Sequence, residues 1–364
     1  MKYIVPEYYS QFQCKGGKCR RSCCDGWPIR ITKNEYYHLL GTHCSQKLRK
    51  RLDIALKTCS TPNSASSALI ATDWRGNCML HGENGLCALQ TELGETALPQ
   101  VCRLFPRKMK TSETVNFCCC SGSCEEVVEL LFRVIKPLQF EEIDLSSKAE
   151  IEFDFSTSQY NICTNSISIM QNRNYSLAER FIFLGNYLNI DNFYTANNHD
   201  TIYSLQILTQ LCECYNESNS ISQYIKVSLN HLGIHGVDLN STSNLSILMQ
   251  TYHSSSDHIN TILPTWQVLI EQLIINHMFY HSFPFEDDLG GIEAAFISLI
   301  GVYSFLRFNM LGYYAEHDNA DGLIDFFSSM FRVIDHSNFK NVAVSLIRNG
   351  NPDIIKRLID LIYF

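Results

Sequence analysis

Apolar residues in the second half of the chain recur with the spacing of helices. Between residues 266 and 277 they return every three or four positions, which places them on the face of a core helix. Ser176 and Glu179 have the spacing of a capping box before another apolar run. No run with the alternation of a β-strand competes with this pattern, so residues 175–364 are predicted to form an all-α domain.

Other helices are predicted from shorter signals. Thr32 and Glu35 have capping-box spacing, and Gly41 suits the end of the helix that they begin. Three more helices are predicted at residues 47–57, at residues 124–135 and, starting at Asn351 and Pro352, through Leu361.

Charge and cysteine content both change near residue 140. Residues 1–140 carry 19 lysines and arginines against 12 acidic residues, whereas residues 141–364 carry 10 against 25. Thirteen of the 16 cysteines lie at or before Cys124. We therefore predict a cysteine-rich domain at residues 1–140, a polar connecting segment at 141–174 and a helical domain at 175–364. The fold class is mainly α, with an irregular first part and an all-α second part.

Composition argues against several classes of protein. At 45% hydrophobic residues the chain can bury a core, which excludes global disorder. The longest apolar stretch, residues 294–306, has 13 residues, whereas a bilayer needs about 20, so no membrane association is expected. Residues 1–10 lack the apolar core of a signal peptide, and the chain is expected to be cytoplasmic. The net charge of +7 over residues 1–140 forms no stripe of lysine and arginine, so nucleic acid is not expected as a partner.

The cysteines of residues 1–140 admit three interpretations, which are disulfides, inert buried thiols and a metal site. Disulfides need an oxidising compartment, to which nothing in the sequence directs the chain. Inert thiols would be spread over both halves in proportion to length. A metal bound by thiolates explains both the crowding and the nearby positive charge, because lysine and arginine lower the pKa of cysteine. A metal site is therefore favoured.

The spacing leaves the metal open between zinc and an iron–sulfur cluster. Zinc prefers four ligands, often from pairs of closely spaced cysteines. The gaps here are irregular, which favours a 4Fe-4S cluster over zinc. A radical S-adenosylmethionine (SAM) motif, Cys-x3-Cys-x2-Cys, is absent because Gly26 stands where a third cysteine would follow Cys19 and Cys23. Histidines near these cysteines are also possible ligands, although a single histidine is more often solvated: His38, His43 and His81.

Several motifs follow one another along the chain. They are Phe12-x-Cys14 with Cys19, Cys23-Cys24-x-Gly26-Trp27, Cys78-x8-Cys87-x2-Gln90 with Gly94-Glu95, Cys102-x3-Pro106-Arg107 and, in the second half, Phe283-Pro284-Phe285. This succession resembles the flagellin lysine-N-methylase (FliB) family, which belongs to a wider group with an eight-cysteine zinc- or iron-chelating domain.

The resemblance implies an enzyme that transfers methyl groups from SAM to lysine amines of flagellin, its partner, and that carries an iron–sulfur cluster. It also implies eight metal ligands, the eighth lying at residues 118–124, where we choose Cys120. The ligand set is then Cys14, Cys19, Cys23, Cys24, Cys78, Cys87, Cys102 and Cys120. The alternative is a metal-stapled interaction or metal-handling protein without methyltransferase activity. No catalytic base is singled out.

Three residues beside these cysteines are candidates for binding SAM. Arg103 and Arg107 are expected to bind its carboxylate, and Trp27 to stack on the adenine or face the sulfonium. Each also has a structural alternative. The arginines can pair with Glu92 or Glu95, and the tryptophan can cover the cluster.

Overall fold

The structure is a computed structural model that describes residues 1–26, 29–59, 67–145, 155–190, 193, 200–217, 221–234, 242–286, 289–317, 320–349 and 353–364. Contacts divide the chain into two compact units. The first unit comprises residues 1–12, 108–123 and 127–364, and the second comprises residues 13–107 and 124–126.

The described residues form seven strands and fifteen α-helices. The strands are β1 (Lys2–Pro6), β2 (Ile29–Ile31), β3 (Leu56–Thr58), β4 (Ala68–Ile70), β5 (Arg107–Lys110), β6 (Phe117–Cys120) and β7 (Phe140–Asp144). The helices are α1 (Lys33–Gly41), α2 (Gln46–Ala55), α3 (Ala88–Leu93), α4 (Gln100–Leu104), α5 (Glu125–Arg133), α6 (Thr157–Met170), α7 (Leu177–Tyr187), α8 (Thr201–Tyr215), α9 (Ser222–His231), α10 (Thr242–Ile262), α11 (Trp266–His281), α12 (Ile292–His317), α13 (Ala320–His336), α14 (Phe339–Arg348) and α15 (Ile354–Tyr363). The predicted mainly α fold is confirmed.

The second unit is built on a three-stranded antiparallel sheet. β4 lies between β2 and β3, so that Ile70 stands opposite Ile29 on one side and Leu56 on the other. Its core combines this sheet with leucines from helices α1 to α3 and with two residues of the turn that follows β4: Leu39, Leu48, Leu52 and Leu89 from the helices, and Cys78 and Leu80 from the turn. The cysteine-rich part of the chain therefore has only a small hydrophobic core of its own.

Local signals in the second unit are largely confirmed. Thr32 and Glu35 form the predicted capping box at the start of α1. The helix predicted at residues 47–57 instead ends at Ala55, because the next three residues pair with β4 as β3.

The first unit contains a four-stranded sheet of order β5-β6-β1-β7. β1 runs parallel to β6 and antiparallel to β7, with Lys2 opposite Asp144. Helix α12 packs against α9, α10, α14 and α15. Residues 292–315 of α12 are long and apolar enough to cross a membrane, with mean hydropathy 1.5, but 94% of that stretch is buried inside the protein. α12 is thus the central core helix of this unit.

Most of the predicted helices of the first unit are confirmed. Ser176 and Glu179 form the capping box of α7, and the apolar pattern at residues 266–277 belongs to α11. The prediction for the terminal helix was wrong at its start. α15 begins at Ile354 because the side chain of Asp353 accepts the Lys356 amide, and Asn351 and Pro352 lie outside the described residues.

The polar stretch predicted as a connecting segment contains regular structure. Residues 141–144 belong to β7, and α6 begins at a capping box formed by Ser156 and Gln159. The contact-based units also group residues 1–12 and 108–123 with the helices rather than with the cysteine-rich part.

Candidate metal centre and a buried polar network

Six thiols of the second unit influence one another: Cys23, Cys24, Cys78, Cys87, Cys102 and Cys124. A hydrogen bond with Cys24, together with burial, raises the pKa of Cys23. Burial raises the pKa of Cys78 to about 12 and also raises those of Cys87 and Cys102, and the neighbouring Cys24 raises all three further. Because adjacent thiolates repel one another, these groups can ionise together only beside a cation.

Backbone amides converge on two of these sulfurs. Cys78 accepts hydrogen bonds from the amides of Leu80 and His81, two and three residues further along. Cys87 likewise accepts hydrogen bonds from the amides of Leu89 and Gln90. In both cases these bonds lower the pKa of the thiol against the effect of burial, because they stabilise the charged sulfur. The two turns thus favour thiolates, which are the form that binds metals.

A tight hairpin joins these two turns. His81 pairs with Cys87 across it as an antiparallel bridge. Gly85 has a φ of +75°, and a Cβ atom there would lie 2.7 Å from the backbone oxygen of Gly17. Only glycine fits such an approach, which packs the loop between Cys14 and Cys19 on the hairpin.

Backbone contacts also connect the first cysteine segment with the hairpin. The amide of Cys78 donates to the carbonyl of Cys24 at 2.6 Å, and Asp25 pairs with Asn77. These contacts hold the backbones of Cys24 and Cys78 side by side.

Glu125, the residue after Cys124, connects Cys124 with the segment that carries the first cysteines. The side chain of Glu125 is 1% exposed and accepts hydrogen bonds from Lys15 Nζ at 2.9 Å and from the Arg21 amide at 3.0 Å. Burial would raise the pKa of Glu125, but these two partners and the charge of Arg20 lower it. Glu125 therefore remains a carboxylate that holds Cys124 against the loop of the first cysteines.

The predicted ligands are thus only partly brought together. Five of them lie in the thiol group, to which the structure adds Cys124. Cys14 is exposed and Cys19 half-buried. Cys120 is buried in β6 of the first unit, because that strand pairs with β1.

The predicted SAM-binding residues differ in their exposure to solvent. Arg103 is exposed on α4, and its charge helps to lower the pKa of Glu35, as do hydrogen bonds from the Gln100 and Thr32 amides, against the effect of burial. Arg107 is half-buried at the start of β5. Trp27 lies outside the described residues.

The thiol group has the donor atoms of a metal centre, but its sulfurs are not tightly grouped. All sixteen cysteines lie in the described part of the chain, and none is in a disulfide bond. Among the described residues, three side chains have potential ligand atoms within 4.8 Å of one another, and they are His277, His281 and Asp335 of the first unit. No three cysteine sulfurs in the described residues form a group of this kind.

Asp335 on α13 is the centre of a buried polar network in the first unit. Its side chain is 2% exposed. Oδ1 accepts hydrogen bonds from His277 Nδ1 and His281 Nε2, both at 3.1 Å, and Oδ2 accepts from Ser121 Oγ at 2.6 Å. Burial would raise the pKa of Asp335, but the bonds from the two histidines hold it well below its usual value. Asp335 is therefore an ionised carboxylate.

Lys340 decides how the protons of this network are arranged. Its Nζ donates to His281 Nδ1 at 3.2 Å and to Glu286 Oε2 at 2.5 Å. Because an ammonium group only donates, Nδ1 is the acceptor and the proton of neutral His281 lies on Nε2, which faces Asp335. Burial, His277 and Lys340 hold the pKa of His281 well below its usual value. The three groups within 4.8 Å thus form a hydrogen-bonded assembly with an uncharged His281.

An apolar cavity lies beside this network. It has a volume of about 160 Å³ and is lined by Phe117, Met278, Phe279 and Ser282 among others. Ser282 Oγ accepts a hydrogen bond at 2.9 Å from Lys110 Nζ, whose residue is 7% exposed. A buried cation therefore stands next to the wall of the cavity.

The network is not predictable from the sequence alone. The signal that was available is the four-residue spacing of His277 and His281, which places both on one face of α11. The other members come from α13, α14 and the loop after β6, and no local pattern connects them.

Comparison with known proteins gives a family for this chain. The family model for the FliB lysine N-methylase C-terminal domain matches residues 164–359. Two proteins named Lysine-N-methylase, from Salmonella typhimurium and Salmonella choleraesuis, are each 28% identical to it, over 152 and 160 residues. Each match covers 42% of this chain and 36% of the relative, so only about a third of those proteins is aligned.

A third relative is shorter. The Flagellar biosynthetic protein FliU of Salmonella muenchen is 28% identical over 130 residues, which cover 34% of this chain and 72% of that protein. No solved structure matches the chain. Because the family model covers more than half of the sequence, the chain belongs to the FliB lysine N-methylase family.

Proposed function

We propose that this chain is a SAM-dependent protein lysine N-methyltransferase that acts on flagellin in the cytoplasm and carries a metal centre in its second unit. The observation that carries the metal centre is the pair of amide-supported sulfurs, Cys78 and Cys87, within a group of six thiols. Methyl transfer to flagellin is supported by the family and by the names of the relatives.

We further propose an iron–sulfur cluster rather than zinc. Four sulfurs on one zinc ion lie about 3.8 Å apart, from a Zn–S distance of about 2.3 Å and tetrahedral geometry. The thiols here lie close enough to shift one another's pKa, yet no three of their sulfurs in the described residues form a tight group. A cluster spreads its ligands over several metal atoms and suits such spacing. The proposed ligands come from Cys23, Cys24, Cys78, Cys87, Cys102 and Cys124, with Cys124 in place of Cys120.

SAM, when bound, supplies the methyl group. Arg103 and Arg107 remain the proposed partners of its carboxylate, and a guanidinium can bind a carboxylate through two parallel hydrogen bonds. Arg103 is exposed and adjoins Cys102, so it can accept such a partner while Glu35 stays bound to backbone amides.

The acceptor lysine must lose a proton, because its usual pKa is about 10.4. The apolar cavity beside Ser282 is the proposed site for its four-carbon chain. Burial and the neighbouring charge of Lys110 would both lower the pKa of an amine placed there.

The test uses the full chain, loaded anaerobically with iron and sulfide and incubated with SAM and purified flagellin. Lysine methylation is read by mass spectrometry. We expect methylated lysines with the wild type and with His258→Ala, an exposed position on α10. Lys110→Met removes the charge that would lower the pKa of the substrate amine, so it should lower kcat about 10-fold at pH 7.5 and less at pH 9.5, where more of the amine is already neutral.

Two outcomes would contradict the proposal. A fully metal-loaded chain that methylates no flagellin lysine would favour the alternative, a metal-handling protein without methyltransferase activity. An equal loss of rate at every pH in Lys110→Met, with unchanged near-ultraviolet circular dichroism, would exclude the cavity beside Ser282 as the site of the acceptor amine.

A further inference from the structure

His81 carries a buried nitrogen that has no partner in the described part of the chain. Its Nε2 atom is inaccessible to solvent and makes no hydrogen bond there. Buried polar atoms of native proteins nearly always have a partner, and an exception calls for an unseen water, ion or ligand. His81 lies between Cys78 and Cys87 in the sequence, so the proposed metal centre is a possible partner for its Nε2 atom.

The backbone of His81 is tightly held within the cysteine hairpin. Its amide lies 2.9 Å from the carbonyl oxygen of Cys78 and also supports the sulfur of that residue. Its carbonyl accepts a hydrogen bond from Arg51 Nη2 at 2.7 Å. The imidazole therefore projects from a rigid turn, not from a flexible loop.

Pairing across the hairpin determines the side to which His81 points. His81 and Cys87 form an antiparallel bridge, and side chains of directly opposed residues lie on the same face, with Cβ atoms about 5 Å apart. Cys87 in turn interacts with Cys24 of the thiol group. The imidazole and the thiol group thus share one face.

We propose that Nε2 of His81 is a nitrogen ligand of the metal centre, so that the centre has mixed cysteine and histidine coordination. This inference rests on the proposed metal centre but not on methyl transfer. Neutral imidazole binds both zinc and iron, and in iron–sulfur centres replacement of thiolate by histidine raises the reduction potential. A histidine ligand also removes one negative charge from a site crowded with thiolates.

The test is magnetic resonance on the full chain, loaded with iron and sulfide, reduced by one electron and labelled with ¹⁵N-histidine. A nitrogen bound directly to the cluster gives a strong hyperfine coupling. We expect this coupling in the wild type and in His43→Ala, an exposed histidine of the same unit, and its loss in His81→Ala. His81→Cys should retain the iron content and have a lower reduction potential than the wild type. If zinc is the metal that binds, X-ray absorption at the zinc edge replaces the hyperfine measurement.

Each other result overturns the proposal in a recognisable way. A metal-loaded wild type without a nitrogen ligand shows that His81 only donates a hydrogen bond to a sulfur, or has no role. The same conclusion follows if His81→Ala retains the coupling. A chain that binds no metal would refute this proposal together with the metal centre. A metal-loaded chain with the histidine signal but no methyl transfer would leave the ligand assignment standing and refute the proposed activity.

Discussion

The sharpest test of the buried network is Asp335→Asn, which keeps the shape of the side chain and removes its charge. The carboxylate accepts three hydrogen bonds, from His277, His281 and Ser121. An amide has one oxygen, so its NH₂ group would face at least one of these donors. We expect the variant to fold with a lower free energy of unfolding.

The size of the loss follows from the burial of the site. A hydrogen bond to a charged group contributes roughly 1.5–3 kcal/mol, and an unsatisfied buried group costs roughly 1–3 kcal/mol. The loss of one bond and the weakening of the other two give about 3 kcal/mol, at the lower end of the range for breaking a buried ionic contact. The control is Asp257→Asn, at an exposed position on α10, which should change stability by less than about 0.5 kcal/mol.

Urea unfolding at pH 7.5 measures this difference if the signal comes from the first unit alone. The chain has three tryptophans, of which Trp266 is 3% exposed at the start of α11. In a Trp27→Phe, Trp74→Phe background its fluorescence reports on the helix that carries His277 and His281. A shift of the midpoint at constant slope is the expected result. A difference below about 1 kcal/mol would refute the description of Asp335 as a charged acceptor of three hydrogen bonds.

The pH dependence of the same measurement has a defined sign. The folded pKa of Asp335 lies below its unfolded value, so its stabilisation is present above about pH 4 and is lost as the pH falls further. The difference in free energy of unfolding between the wild type and Asp335→Asn should therefore become smaller below pH 4. The pKa of His281 in the folded chain is also lowered. As the pH falls through about 6.5, His281 is therefore protonated in the unfolded chain but stays neutral in the folded chain. Both proteins should lose stability between pH 7 and pH 5.

Three further predictions concern packing, capping and metal. Gly312→Ala places a Cβ atom 2.7 Å from the Ser228 Cα atom, where α12 meets α9, and overpacking should outweigh the gain in helix propensity and cost about 2 kcal/mol in urea unfolding. Gly290→Ala, with no heavy atom within 4 Å, is the matched control and should be neutral, so equal effects would contradict the packing argument. Ser176→Ala removes the capping box of α7 and should cost about 1 kcal/mol, measured in the same way, and an unchanged midpoint would count against the cap. Removal of metal by a chelator should expose residues 13–107 to protease while helical circular dichroism is largely retained, because the second unit has a small core of its own, and unchanged protease resistance would contradict a stabilising metal.

Features of the fold that depend on neighbouring residues in the chain were predictable. Each capping box, at Thr32 and at Ser176, is specified within about one turn of helix. The apolar face of α11 is specified within about three turns. The strands were not predicted, because segments such as β2 (Ile29–Ile31) are too short to show an alternating pattern. The sequence predicts the start of β3 as the end of a helix for the same reason, because only its pairing with β4 distinguishes it from a helix.

The placement of Cys120 and Cys124 in different units shows a second limit of prediction from the sequence. Only three residues lie between them. Cys120 is drawn into the first unit by the pairing of β6 with β1, more than a hundred residues earlier in the chain. Cys124 is held in the second unit by the contacts of Glu125 with Lys15 and Arg21. Spacing alone carries no information about either set of contacts.

The network of the first unit depends on contacts that are longer still in sequence. His277 and His281 have a spacing that is common to metal sites and to core helices, and Asp335 could complete either arrangement. The residue that decides is Lys340, which lies 59 positions after His281 and donates to its Nδ1 atom. That bond requires the proton on Nε2, which turns His281 from a metal ligand into a hydrogen-bond donor to Asp335. The chemistry of the pair thus depends on a cation that no reading of α11 alone would include.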